Sequence, residues 1–551
     1  MGETLVIDPV PEIVWATYYG GELGDELNAV AATVSGGVVC VGTTFSSTQI
    51  ATIDAEQVSI NLLNDAFVVM VSSFGERYWC TYYGGILQDE GSAVATGTKG
   101  EIVLVGTTSS HDAITTMGAH FYQYGGGRSD AFVASLSRDG YANWCTYFGG
   151  EDKDVGTGVA VSSNGDVVVC GDTYSYDRIA TAGAHQKHLA YHQDLFFATF
   201  SSHGQLVWGS YFGGSNTEFG ALVALTPDGD IVLSGGTHSK SAVATSGAYQ
   251  ELLGGEDDPD PLSDAFLAMF SSDGRILWGT YFGGTRADWA EGLDVTRDGD
   301  IVLVGGTNSI NRVATEGAHQ QKLGGSLDGF VALFSSNGTR RWSTYFGGVG
   351  HETANAVGVI ESGAIILTGS TESDSVIATL GATQRRLGGG LDAFMAVLSP
   401  DGKGLYGTYY GGEQDDEAHS LTVTTNNDIV IVGSTASETT IASAQAHQTT
   451  QGGSGDAFVL MFRTGSISSA VENSLMRTSH SIVSLRPNPA SGHTVVTTSV
   501  TTDAVLSVVD MLGRVHVSLQ IAAGSTATTI LTLGLPSGSY YLRLEPVEGR
   551  S

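Results

Sequence analysis

Carboxylates gather behind a recurring Gly-Gly pair along this 551-residue chain. They are Glu22, Asp25 and Glu26; Asp89 and Glu90; Asp152 and Asp154; Glu218; Asp288 and Glu291; Glu352; and Asp415, Asp416 and Glu417. Grouped on one surface, such side chains attract cations or basic ligands, and calcium is the metal their oxygens suit. The same residues also accept backbone hydrogen bonds in tight connections, so both roles stand open at this level. Two local clusters invite a metal more directly. In "HQKHLAYHQD", His185, His188 and His192 stand at i, i+3 and i+7, a spacing that would share one face of a short helix and suit zinc. His185, however, belongs to a phrase "GAHQ" that recurs with His120, His319 and His447. The segment "EDDPDP" offers Asp257, Asp258 and Asp260 to calcium, or to solvent as a plain acidic loop. A further set (Asp65, Asp130, Asp194, Asp264, Asp328, Asp392, Asp456) recurs without variation, and a residue every unit needs is expected to bond loop amides. No GxSxG elbow, HExxH pair, P-loop or dinucleotide fingerprint is present.

The elements that position these groups follow from the glycines. Each Gly-Gly ends an aromatic phrase that begins "WATYYGG" at Trp15 and returns at Trp79, Trp144, Trp208, Trp278, Trp342 and Tyr406. The starts lie 64 or 65 residues apart except for one interval of 70, which contains the six-residue insertion 256–261. A fixed period of this kind marks repeated units that share one continuous core. Within residues 86–150 four short β runs succeed one another: "SAVATGT", "EIVLVGTT", "DAFVASLS" and "YANWCTYFGG", with Gly turns in the tight connections. Seven units of four antiparallel strands predict an all-β fold, a seven-bladed β-propeller. The Ala- and Gly-rich first strand suits the crowded axis, and the Trp- and Tyr-bearing fourth strand suits the wider rim. The first aromatic phrase has no blade before it and the seventh "DAF" strand has no aromatic phrase after it. The N-terminal strand is therefore expected to complete the last blade.

Composition narrows the function classes. The formal charge is −34, and four basic and four acidic residues cancel within 481–551, so the excess lies in residues 1–480. Such a surface repels phosphates, which argues against nucleic acid and anionic lipid as partners. No run of uncharged apolar residues is long enough for a transmembrane segment, and the start "MGETLVIDPVPEIV" lacks the pattern of a secretory signal. Cys40, Cys80, Cys145 and Cys170 show no metal or redox spacing and read as small buried apolar residues.

The linked motifs of each unit, "DE…AVA…G.IVLVGTT…T.GAHQ…G..DAF…S.DG…W.TY.GG", resemble the SBBP repeat, a seven-bladed β-propeller repeat of bacterial extracellular proteins. The resemblance spans residues 12–465 and implies the fold and an exported setting, with no defined catalytic activity. After a polar linker at 466–480, residues 481–551 alternate as the strands of a small β-sandwich. Their "RPNPASG" (486–492), "VVDMLGRVH" (508–516) and "LPSGSYYLRL" (535–544) closely resemble the type A sorting domain of the type IX secretion system. The chain stops at "PVEGRS", where such domains usually continue into a final basic strand. This resemblance implies passage through the type IX machinery and a secreted or outer-surface location. The expected organisation is thus a propeller over 1–465, a linker, and a sorting module. The expected function is binding or scaffolding of an extracellular glycan, peptide or protein with no cofactor required. A secreted polysaccharide-acting enzyme using the acidic loops, or a purely structural surface protein, are the alternatives.

Overall fold

The computed structural model describes residues 3–6, 11–255, 262–379 and 381–463, and in the C-terminal region the strands between 481 and 546. The chain separates into two compact units, Ile13–Arg463 and Met1–Glu12 with Thr464–Ser551. Among the described residues every regular element is a β-strand.

The larger unit is seven four-stranded antiparallel sheets. The first blade comprises Asp25–Ala32, Val38–Thr44, Asp65–Val71 and Arg77–Tyr83, and five more follow in the same consecutive order. The seventh joins Asp416–Val423, Ile429–Thr435 and Asp456–Arg463 to Glu12–Tyr19, so the N-terminal strand is its outermost member. The ring closes as the sequence predicts. Each first strand packs against the first strands of both neighbours, Asp416–Val423 against Asp25–Ala32 included. Small side chains are required there because seven strands converge on one axis. Each first strand also carries a register shift near its start, as between Leu27 and Ala29 or Gly91 and Ala93, and such bulges sharpen twist.

Alternation along the fourth strand places its aromatics on both blade faces. Cys145 and Tyr147 pack toward the first blade's Val68 and Met70, while Phe148 and Trp144 pack toward the third blade's Phe196 and Phe200. All four cysteines are free and buried within these layers. Each outer Trp also reaches across to the next blade. Trp15 Nε1 donates to Ser73 O at 3.0 Å, Trp79 to Arg138 O at 3.0 Å and Trp342 to Pro400 O at 2.9 Å. The indole lies on the turn glycine of that next blade. Gly75 has φ +82° and a Cβ there would come within 2.7 Å of the Trp15 ring, so no other residue fits without displacing the indole.

The loops between second and third strands are not free excursions. Thr52 N donates to Cys80 O at 2.9 Å and Gln57 N to Thr81 Oγ1 at 2.9 Å, so the loop runs down the outermost strand. It covers an edge that would otherwise expose unpaired backbone groups. A buried aliphatic residue anchors each loop, Ile50, Ile114 and Ile179 in the first three.

The second unit contains a four-stranded sheet, in which Glu3–Val6 and Ala504–Asp510 flank Tyr540–Pro546 and Val515–Ile521 extends beyond Ala504–Asp510. Ser481–Ser491, His493–Ser499 and Thr528–Leu531 form a second sheet of three. Glu3–Val6 therefore groups with the C-terminal unit, while the strand Glu12–Tyr19 belongs to the ring. The cause is the pairing of Glu3–Val6 with Leu544–Tyr541.

Candidate functional site

The Gly-Gly carboxylates divide into a buried population and a solvent-facing one. Asp25, Asp89, Asp154, Glu218, Asp288, Glu352 and Asp416 open the first strands and are buried. Each accepts the N–H of the second glycine four residues earlier, at 2.7–3.0 Å. In five blades the same carboxylate also accepts a serine hydroxyl, as from Ser46 to Asp25 at 2.8 Å and Ser110 to Asp89 at 2.8 Å. That serine's carbonyl in turn accepts the hydroxyl of a buried tyrosine, Tyr82 to Ser46 at 2.8 Å and Tyr147 to Ser110 at 2.9 Å. In these five junctions the tyrosine, serine and acid thus form one bonded chain. Each of these carboxylates ties the glycine turn of its junction to the start of the first strand.

The second recurring set stands beside them. Asp65, Asp130, Asp194, Asp264, Asp328, Asp392 and Asp456 are fully buried. In six blades the Asp Oδ2 accepts the Gln Nε2 of the "GAHQ"-type phrase at 2.6–2.9 Å. Loop amides add to this, Gly125 N to Asp130 at 2.5 Å and Gly254 N to Asp264 at 2.7 Å. The same glutamines accept the N–H of the first glycine, as Gln57 Oε1 does from Gly84 at 3.1 Å. Gly84 itself is pinched between the two carboxylates. A Cβ there would lie 2.7 Å from Asp89 Oδ2 and 2.8 Å from Asp65 Cγ. This is why the phrase ends in glycine.

A carboxyl taken out of water, with a second acid nearby, holds its proton more tightly. Burial, with Asp288 adding repulsion, pushes the Asp264 carboxyl up to about 8. Burial and the neighbouring Asp89 raise Asp65 to about 7, and burial raises Glu218 to about 7.

The other sequence candidates are solvent-facing. Glu26, Glu90, Asp152, Glu291 and Asp415 are exposed. Glu291 Oε1 accepts the Trp289 indole N–H at 2.8 Å, and Asp415 Oδ1 accepts Leu391 N at 3.1 Å. Glu22 accepts the Ser47 hydroxyl at 2.6 Å, and bonds from Ser47 and Thr48 hold its carboxyl down at about 2. His185, His188 and His192 are not gathered on a helical face, because the segment is bends and a single bridge. His185 packs on Phe212 and Phe270 and His192 edges against Tyr191. Among the described residues no three His, Cys, Asp or Glu side chains are grouped to hold a metal ion. Asp257, Asp258 and Asp260 lie outside the described residues.

The ring's surface is not sevenfold. One residue into the first strands stand Glu417, Glu26 and Glu90 on three successive blades, but Val155, Phe219 and Trp289 on the next three. Exposed aliphatic residues also crowd the first blade's loops, Leu62, Leu63, Ile86 and Leu87 among them. The sequence signal for these was present as differences between copies, which a search for recurring residues passes over.

Comparison with known proteins bears on the second unit. Residues 484–550 match the family described as the secretion system C-terminal sorting domain. The chain carries a type IX sorting module. It is accordingly secreted to the cell surface or the extracellular space, and the type IX machinery handles it. Among the described residues no helix is long and apolar enough to cross a membrane. The regulatory protein FlaEY of Caulobacter vibrioides is 25% identical over 330 residues, 55% of this chain and 31% of that protein. The chain thus spans less than a third of that relative's length. Solved structures found similar to this chain include a Dyadobacter fermentans protein of unknown function, at 10% identity and TM-score 0.36 over 83% of this chain and 99% of that one. Another is PorZ, a surface component of the type IX secretion system of Porphyromonas gingivalis, at 11% identity and TM-score 0.40 over 94% and 57%.

Proposed function

We propose that the propeller is an exported binding and scaffolding module, held at or released from the cell surface, whose rigid ring presents unlike loops to an extracellular partner. One observation carries this reading: the buried junctions are repeated seven times while the half-buried or exposed positions one residue away differ from blade to blade. A frame conserved for packing and a surface free to vary is how scaffolds present recognition loops. The recurring carboxylates are buried and accept hydrogen bonds inside the junctions, so the exposed, blade-specific residues are the ones open to a ligand. The partner is a glycan, peptide or protein, and the fold itself does not choose among them. The test is retention of the purified chain on glycan and peptide arrays, with the eluted material analysed for cleavage. Retention without product supports the reading. Turnover of a polysaccharide by the same preparation would replace it with an enzyme.

A further inference from the structure

We propose that the loop face above the first blade docks a polypeptide segment that alternates apolar and basic side chains. The proposal rests on the binding reading above and names the surface and the partner's chemistry.

Six apolar side chains stand out of the fold there: Leu23 is 49% exposed, Phe45 53%, Leu62 79%, Leu63 48%, Ile86 48% and Leu87 37%. Backbone bonds make them one patch. Phe45 N donates to Gly24 O at 3.1 Å, and Asp89 N donates to Asn64 O at 3.0 Å. Thr44 pairs with Asp65, which sets Phe45 beside Asn64 at the same end of adjacent strands. Asn61 Nδ2 reaches Gly84 O at 3.4 Å, bringing Leu62 to the loop that carries Ile86 and Leu87. The three loops therefore meet over one blade end.

The fold does not need this patch. Ser109, Asn308 and Glu372 occupy the place of Phe45 in the second, fifth and sixth blades, and Glu151–Asp152 and Ser215–Asn216 the place of Ile86–Leu87. Those blades close the same junction bonds with polar residues, so packing does not account for the apolar ones. Contiguous apolar surface of this kind marks an interaction site.

The surrounding charge identifies the occupant. Glu26 and Glu90 are exposed one residue inward on the first two blades, and Asp112 Oδ1 accepts Ile86 N at 3.3 Å beside the patch. On the other side a cavity of about 340 Å³ is lined by Phe45, Glu26, Asp415 and Glu417. Among the described residues no ion pair involves Glu26, Glu90, Asp415 or Glu417. Apolar contact inside an acidic rim fits a chain whose Leu-type residues fill the patch and whose Lys or Arg residues meet the carboxylates. A second copy is a poor occupant, because face-to-face pairing would oppose one acidic rim to another.

The test is fluorescence anisotropy of the full chain with three labelled decapeptides, alternating Leu-Lys, Ser-Lys and Leu-Glu. The Leu-Lys peptide is expected to bind, and the others not. A Leu62→Ser, Leu63→Ser, Leu87→Ser variant should weaken binding by about tenfold or more, as truncation of central anchors does. Glu26→Gln with Glu90→Gln should weaken it less and flatten its salt dependence. Both variants should melt with the parent, since the altered side chains are exposed. Equal binding of the Ser-Lys or Leu-Glu peptide, or Leu-Lys binding untouched by the triple substitution, overturns the proposal. So does self-association of the chain abolished by that substitution. A parent chain that ignores the Leu-Lys peptide but is retained on an array overturns this inference and leaves the binding reading standing.

Discussion

Six blades are built from consecutive chain and the seventh from both ends, and the contrast explains the one copy of the aromatic phrase that does not open with Trp. In six places a tryptophan clasps the turn between third and fourth strands of the next blade. The seventh blade has no such turn, because its fourth strand arrives from Glu12–Tyr19 rather than from Arg463. The sixth blade accordingly carries Tyr406, whose hydroxyl turns to Thr383 N at 3.1 Å. A repeat keeps a residue where its neighbour supplies the partner and drops it where the partner is missing.

The largest effect should come from breaking the closure. Tyr18 is fully buried in the N-terminal strand and donates to Ser437 O at 2.9 Å. Tyr18→Ala should lower stability by about 3–5 kcal/mol, the range for buried aromatics, read by urea denaturation of the ring. Next is the pair of neighbouring carboxylates. Asp89→Ala strands the Gly85 amide and the Ser110 hydroxyl and should lose about 1–3 kcal/mol for each buried group left unpaired. Glu90→Gln, one residue on, should leave the denaturation midpoint in place.

A smaller effect separates protonation states. In the unfolded chain Asp titrates near 3.9, whereas Asp264 in the ring is raised to about 8. The folded chain therefore binds that proton more tightly between these values. Its contribution to stability is fully present below the lower one and is lost as pH rises through the upper one. The ring should melt lower at pH 8 than at pH 5. Asp264→Asn should narrow that gap, since the amide oxygen can still accept from Gln250 and Gly254. Smallest is the clasp: Trp342→Phe should cost about 0.5–1.5 kcal/mol for the lost bond to Pro400 O, while Tyr406→Trp should gain nothing measurable by the same denaturation assay.

Much of this was legible in the sequence, for a physical reason. Packing needs recur with the blade, so Trp, Tyr, Gly-Gly and the opening Asp of the third strand declare themselves by repetition, and the orphan phrase at Trp15 declares the closure. Repetition also separates Asp89, whose place is acidic in all seven copies, from Glu90, whose place passes to Val155, Phe219 and Trp289 elsewhere, and the strand's alternation puts one inside the junction and the other in solvent. It also promised too much for His185, His188 and His192, whose i, i+3, i+7 spacing has meaning only on a helix that the loop does not form. The apolar patch above the first blade was hidden for the opposite reason: Phe45 and Leu87 matter by departing from the pattern.

Closure itself is tested most directly by amide hydrogen exchange of Ile13–Tyr19 at neutral pH. A strand bonded to Asp456–Arg463 on one side and to the Ser443–Gln448 loop on the other should exchange as slowly as Asp456–Arg463. Exchange at the rate of unstructured chain would mean that the ring is not closed by its N-terminal strand.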